Sequence, residues 1–86
     1  MNIRMFKNII SQTDVKVDFS SSIICDPNTI KFVKLGETYR VFKIDKSLNK
    51  TLIVETTSIN TACKATLKFL DIKINNSGKV LNNKRR

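Results

Sequence analysis

Residues 30–56, IKFVKLGETYRVFKIDKSLNKTLIVET, decide the fold of this chain. Three segments within them, 30–35, 39–44 and 51–56, are rich in the β-branched and aromatic residues that favour strands. Gly36 breaks the pattern after the first segment, and a polar turn follows the second. This spacing predicts a three-stranded antiparallel meander at the centre of the domain.

The segment before the meander divides into three parts. Apolar residues within 2–12 recur near a helical spacing, which predicts a short helix capped by Asn2, although a strand suits so short a pattern as well. Residues 15–19 alternate apolar and charged side chains, which predicts a half-buried strand. Serines and Pro27 predict a loop over 20–28.

After the meander the period of the apolar residues changes. Within 59–70 they recur at i, i+3, i+4, i+7, i+8 and i+11, which predicts an amphipathic helix capped by Ser58. The competing interpretation of this segment is a strand, because alternate residues in it are also apolar. Residues 70–74 alternate again, which predicts a short last strand before a turn at 76–78.

Length and composition are typical of one small folded domain. The chain has 86 residues, 41% of them apolar, with two Gly and one Pro. We expect a single domain over 1–81 and a mobile basic tail over 82–86. The predicted fold class is α+β, a small antiparallel sheet with one or two packed helices; without the second helix the alternative is an SH3-like all-β barrel.

Several classes of protein and site are disfavoured. No apolar run approaches the roughly 18 residues of a membrane span, and the start of the chain does not resemble a secretory signal. We therefore expect a soluble cytoplasmic protein with no membrane partner, in the host cytoplasm if the gene is viral. Cys25 and Cys63 lack CxxC spacing, so reduced buried thiols are expected, although a bridge between them stays open.

The residues that most enzymes and metal sites use are scarce. The chain has no His and only two Cys, whereas a structural zinc site needs about four such ligands. Without His, the commonest proton shuttle is missing, and the seven acidic residues are scattered. Two isolated glycines cannot form a glycine-rich phosphate loop. We expect a protein without catalysis, metal or cofactor.

The positive charge is unevenly distributed along the chain. The net charge is +9, yet residues 1–28 have three basic and three acidic groups. Residues 29–57 have six basic groups against three acidic ones, and residues 58–86 have seven against one. Such a field attracts polyanions, and nucleic acid is the commonest one for a small basic protein.

The candidate contacts are basic side chains in the meander, the second helix and the tail, together with one aromatic ring. They are Lys31, Lys34, Tyr39, Arg40, Lys43, Lys64, Lys68, Lys84, Arg85 and Arg86. The four basic residues from the meander are expected to form a patch across the sheet. Tyr39 and Phe42 point to opposite faces of their strand, so we expect Phe42 in the core and Tyr39 available for base stacking.

A partial resemblance to a known module accompanies these residues. The order YRVFKID, NKTLIVETTS and INTACKATLKFLDI over 39–74 resembles the strand, strand, helix half of double-stranded RNA-binding domains, and the opening helix would supply the matching first element. The chain departs from that family where its last helix begins, since Ser58, Ile59, Asn60 and Thr61 replace the family's basic cluster. Size and charge also resemble those of small phage-encoded proteins that disarm host factors, including RNA-dependent inhibitors of toxin nucleases.

Two functions follow from these patterns. The first is non-catalytic binding of nucleic acid, RNA in preference to DNA, by phosphate neutralisation in which shape matters more than base identity. The second is a protein-binding inhibitor or antitoxin whose basic surface covers an acidic host protein or the site of a nuclease.

Overall fold

A computed structural model describes residues 1–81 and has an α+β fold, which confirms the predicted class. The elements are α1 (Ile3–Ser11), β1 (Val17–Asp18), β2 (Thr29–Leu35), β3 (Thr38–Ile44), β4 (Lys50–Thr56) and α2 (Ile59–Phe69). They form one four-stranded sheet in the order β1-β2-β3-β4. β1 pairs parallel to β2, and the other pairs are antiparallel.

The predicted first helix is confirmed as α1. Asn2 caps it, because its side-chain oxygen accepts a hydrogen bond of 2.8 Å from the backbone N–H of Met5. Phe6, Ile9 and Ile10 form its buried side. The spacing of these residues places them on one face, so α1 is held to the domain by that face.

The predicted meander is confirmed as β2, β3 and β4. Gly36 has a φ of 65° and opens a two-residue turn between Leu35 and Thr38, a conformation that glycine adopts without steric cost. The carboxylate of Asp45 accepts backbone hydrogen bonds from Ser47 at 2.8 Å and from Asn49 at 2.9 Å. Local turn chemistry thus fixes both hairpins.

The predicted second helix is confirmed as α2, with its boundaries set by local hydrogen bonds. Ser58 caps the start, since its Oγ accepts from the backbone N–H of Thr61 at 3.1 Å. At the other end Asp71 donates to the carbonyl of Lys68 and Ile72 to that of Leu67, while Asp71 has a φ of 57°. This is a Schellman motif, which ends a helix by satisfying its last carbonyl groups.

The strand predicted over 70–74 is wrong. Leu70 and Asp71 belong to the end of α2, so they cannot continue as extended backbone. Ile74 alone forms an isolated bridge, to Val80. The strand predicted over 15–19 is shorter than expected, because only the two residues of β1 pair with β2.

Both helices pack on one face of the sheet. The main core cluster consists of buried side chains from α1, β2, β3 and α2: Phe6, Ile9, Ile10, Ile30, Phe32, Val41, Ala62, Cys63 and Leu67. Ile44 of β3 is also fully buried, outside this cluster. Cys63 is fully buried within the cluster, and burial raises the pKa of its thiol to about 11. Cys25 is only partly buried, and both cysteines are free thiols.

The strand register defines two faces of the sheet. The helix-covered face carries Ile30, Phe32, Lys34, Tyr39, Val41 and Lys43, which pair across β2 and β3. The open face carries the alternating residues Lys31, Val33, Leu35, Arg40 and Phe42, with Leu52 and Glu55 from β4. Within residues 1–81 no helix covers the open face.

The segment after α2 is attached to α1 by one side chain. Gln12 donates through Nε2 to the carbonyl of Gly78 and accepts through Oε1 from the N–H of Val80, each at 2.9 Å. The chain is therefore folded onto the domain as far as Leu81. Neither described helix has the length and apolarity that crossing a membrane requires.

Candidate nucleic-acid interface

Lys64 and Lys68 lie on the exposed side of α2. Ala62, Cys63, Thr66 and Leu67 form the buried side of this helix, so the two lysines project to solvent one turn apart. No ion pair within residues 1–81 involves either ammonium group. We call them the α2 lysine pair; they combine exposure with unmatched charge.

The α2 lysine pair borders a concavity of about 330 Å³ with an apolar floor. Met1, Leu67, Ile72 and Ile74 form part of its lining. Lys73 also borders it, with its ammonium 3.8 Å from the carboxylate of Asp71. Three lysine side chains and one aspartate therefore surround this hollow, and its net charge is positive.

A second concavity, of about 400 Å³, is lined by aromatic rings; we call it the aromatic cleft. Its lining residues are Phe19, Phe32, Lys34 and Tyr39, with Asn2 and Ile3 at the start of α1 and Ile59 at the start of α2. The rings form a continuous row, since the centroid of Phe32 lies 5.5 Å from that of Phe19 and 6.3 Å from that of Tyr39. Phe32 is buried, while Phe19 and Tyr39 are half-buried.

Two ammonium groups lie over the outer rings of the aromatic cleft. The Nζ of Lys34 is 5.6 Å from the centroid of the Tyr39 ring, and the Nζ of Lys7 is 4.7 Å from that of Phe19. Both distances are within the range of cation–π attraction. The cleft therefore combines apolar ring faces with positive charge.

The aromatic cleft and the α2 lysine pair are neighbours on the surface. Met1 lines the concavity at the lysine pair, and Asn2, the next residue, lines the aromatic cleft. The amino group of Met1 donates to the Oδ1 of Asn60 at 2.7 Å, which attaches this end of the chain to α2. The two features thus adjoin at the start of α1.

The expected patch of meander cations is divided between the two faces. Lys34 and Lys43 belong to the helix-covered face, whereas Lys31 and Arg40 belong to the open face. Residues an odd number of positions apart on a strand point in opposite directions, which separates Lys31 from Lys34. Lys43 lines a different hollow, with Asp14 and Lys16, at the far end of the sheet.

Lys31 is buried and already paired. Its side chain is 7% exposed, and its Nζ lies 2.9 Å from the Oδ2 of Asp18 and 3.3 Å from the Oγ of Ser20. Hydrogen bonds from Lys31 and from the backbone of Ser20 lower the pKa of the Asp18 carboxyl to about 2. This lysine therefore stabilises the fold and is not available to a phosphate.

Arg40 and Phe42 belong to the open face. A guanidinium nitrogen of Arg40 lies 3.4 Å from a carboxylate oxygen of Glu55 on the neighbouring strand. Phe42 is half-buried outside the core cluster, with the Nζ of Lys50 5.8 Å from its ring centroid, so its predicted place in the core is wrong. The reason is that the helices pack on the face to which Tyr39 belongs.

The sequence did not reveal that Phe19 and Phe32 line one cleft with Tyr39, or that Lys7 lies over the Phe19 ring. The parity of β2 and β3 places Phe32 and Tyr39 on one face, and this was the available signal. Lys84, Arg85 and Arg86 lie outside the described residues. Among residues 1–81 no three His, Cys, Asp or Glu side chains are grouped so that they could hold a metal ion.

Comparison with known proteins identifies no relatives. No protein-family model matches the chain, no curated protein is significantly similar to it, and no solved structure matches its fold.

Proposed function

We propose that this protein binds nucleic acid without catalysis, RNA in preference to DNA, through the surface formed by the α2 lysine pair and the aromatic cleft. The observation that carries the proposal is the adjacency of unmatched lysines and half-exposed aromatic rings. Lysines neutralise phosphates, and aromatic rings stack on bases. Lys64, Lys68, Lys34 and Tyr39 are the described residues that we assign to the interface.

Of the other predicted contacts, some are left out of the proposed interface and some are kept. Lys31 and Arg40 are omitted because Asp18 and Glu55 already neutralise them. Lys43 is omitted because it lies at the end of the sheet away from Tyr39, in a hollow that Asp14 also lines. The tail residues Lys84, Arg85 and Arg86 stay proposed phosphate contacts on their charge alone. The resemblance to double-stranded RNA-binding domains and the cytoplasmic location are likewise proposals.

The test is the salt dependence of binding to matched RNA and DNA oligonucleotides. If about six phosphates are engaged, the logarithm of the affinity falls with log salt with a slope of roughly −4 to −5. Lys64→Gln with Lys68→Gln should make that slope shallower by about 1.4 to 1.8, since two contacts are lost. A slope near zero for the unaltered protein would overturn the proposal.

The matched control is Lys46→Gln with Lys50→Gln. These exposed lysines lie at the turn between β3 and β4, at the end of the sheet away from Tyr39, and they change the net charge by the same amount. The control should leave the salt slope within about 0.3 of the original, because no phosphate contact is removed. Equal effects of the two double variants would mean that overall charge, and not this surface, attracts the nucleic acid.

The exposed apolar side chains of the open face favour a second candidate function, that of a protein-binding inhibitor. Leu35 and Leu52 are about half exposed there, and Ile23 in the adjacent loop is 94% exposed. Apolar patches of this kind mark sites of protein contact. A specific protein complex that survives complete RNA and DNA digestion, and is lost with Leu52→Glu, would support this candidate over the first.

A further inference from the structure

The aromatic cleft has the composition of a site for a flat ring. Three aromatic side chains, Phe19, Phe32 and Tyr39, line one hollow that is open to solvent. Its volume of about 400 Å³ lies within the range of small-ligand sites, roughly 300 to 1,000 Å³. The outer rings are only half-buried, so ring surface is available to a ligand.

The two lysines at the outer rings of the cleft lie over aromatic rings and not beside acidic side chains. Lys34 lies over Tyr39 and Lys7 over Phe19, and within residues 1–81 neither lysine forms an ion pair. A cation–π contact at an exposed site is weak, so an ammonium group can leave the ring at little cost when another partner is offered. A nucleotide offers a base that can stack on the ring in place of the ammonium group, and a phosphate that can pair with the lysine.

We propose that the aromatic cleft takes one unpaired nucleobase, stacked on the ring of Tyr39, and that Lys34 then moves from that ring to an adjacent phosphate. This inference rests on the proposed function and adds the class of ligand: a single-stranded segment, loop or bulge, in which bases are exposed. Bases paired within a duplex do not present their faces to such a cleft.

The polar group in the lining fits the same ligand. The side-chain oxygen of Asn2 is engaged by the backbone N–H of Met5, which fixes the orientation of its carboxamide. With that oxygen engaged, the amide NH₂ is the hydrogen-bonding group that Asn2 has left to offer a ligand in the cleft. Stacking tolerates every base because each has a π-face, so we expect little preference among the four bases.

The test compares two single-stranded RNA oligomers of about ten nucleotides, a length within known site sizes, one intact and one abasic throughout. They have the same phosphates, so phosphate neutralisation alone predicts equal affinity. The cleft predicts that the abasic oligomer binds about 5- to 150-fold more weakly. Tyr39→Leu should remove this difference, and Tyr39→Phe, which keeps the ring, should retain it.

A spectroscopic signal accompanies the affinities. Tyr39 is the single Tyr in a chain without Trp, so the intrinsic fluorescence at Tyr wavelengths reports on this ring alone. The intact oligomer should quench that emission and the abasic oligomer should not. This measurement uses the unaltered protein, so it does not depend on whether Tyr39→Leu folds.

The outcomes separate this inference from the proposed function. Equal, salt-sensitive affinity for the two oligomers would overturn the cleft as a base site and leave nucleic-acid binding standing. Absence of binding to both would overturn the two together. A weaker abasic complex without quenching of Tyr39 would place the base elsewhere and would also contradict the inference.

Discussion

The helix-covered face and the open face of the sheet differ in how their cations are partnered. On the open face, Lys31 is paired with Asp18 and Arg40 with Glu55. At the edge of the helix-covered face, Lys34 lies over the Tyr39 ring and within residues 1–81 forms no ion pair with an acid. The described cations of the open face are thus mostly paired with acids, and the exception is Lys50, which lies over the Phe42 ring and forms no ion pair within residues 1–81.

The two faces also differ in what covers their aromatic residues. Phe32 is packed against Phe6 at a centroid distance of 5.3 Å, beneath α1. Phe42, on the next strand, is half-buried and has only Lys50 over its ring among the described cation contacts. The helix-covered face therefore packs its aromatic ring in the core, whereas the open face buries Ile44 but leaves Phe42 partly in water, and paired substitutions can measure that difference.

The largest expected effect is on folding. Phe32→Ala should lower the free energy of unfolding by about 3–5 kcal/mol, because it leaves a cavity in the core. Phe42→Ala should lower it by about 1–2 kcal/mol, since only part of its ring is removed from water. Urea denaturation followed by circular dichroism gives both values. Similar losses would show that something covers the open face in solution, such as a second copy of the chain.

The next largest effect is a difference in stability between substitutions of the two lysines of β2. Lys31→Met should cost about 1–3 kcal/mol, because the carboxylate of Asp18 loses its buried donor. Lys34→Met should change stability by less than about 0.5 kcal/mol, since that side chain is exposed. The same denaturation experiment measures both. An unchanged stability in Lys31→Met would mean that the pair only offsets its own desolvation.

The contribution of the Asp18 pair should depend on pH in a defined direction. The pKa of Asp18 is lowered from 3.8 to about 2 in the folded protein, so folding favours its charged form. Its stabilisation is therefore complete above about pH 4 and is lost as the pH falls through about 2. The stability difference between the unaltered protein and Asp18→Asn should shrink over that interval. A difference that stays constant would contradict the ion pair.

Local patterns were sufficient to predict most of this fold. The caps at Asn2 and Ser58 and the turn at Gly36 each act within a few residues, so the sequence favours both helices and the meander, although the apolar spacing alone also allows strands over 2–12 and 59–70. The segment 70–74 was mispredicted because the helix end uses a non-glycine residue, Asp71, in the left-handed conformation. Without a glycine there, the sequence pattern does not mark a Schellman motif.

The candidate site was less predictable because it depends on contacts between distant segments. Alternation shows that Tyr39 and Phe42 face opposite ways, but not which face the helices cover. Lys31 is neutralised by Asp18, which lies across the 20–28 loop and reaches β2 only through a parallel pairing. Neither relation is encoded in the spacing of nearby residues, so both required the three-dimensional structure.

The smallest expected effect tests whether the open face takes any part in binding. Glu55→Gln removes the partner of Arg40, and because both side chains are nearly half exposed, stability should fall by less than about 0.5 kcal/mol. The protein gains one net positive charge, but on the side away from the α2 lysine pair. At physiological salt, screening acts over about 8 Å, so RNA affinity should change less than about twofold. An affinity gain of several-fold with a steeper salt slope would show that phosphates reach Arg40, and the functional distinction between the faces would then fail.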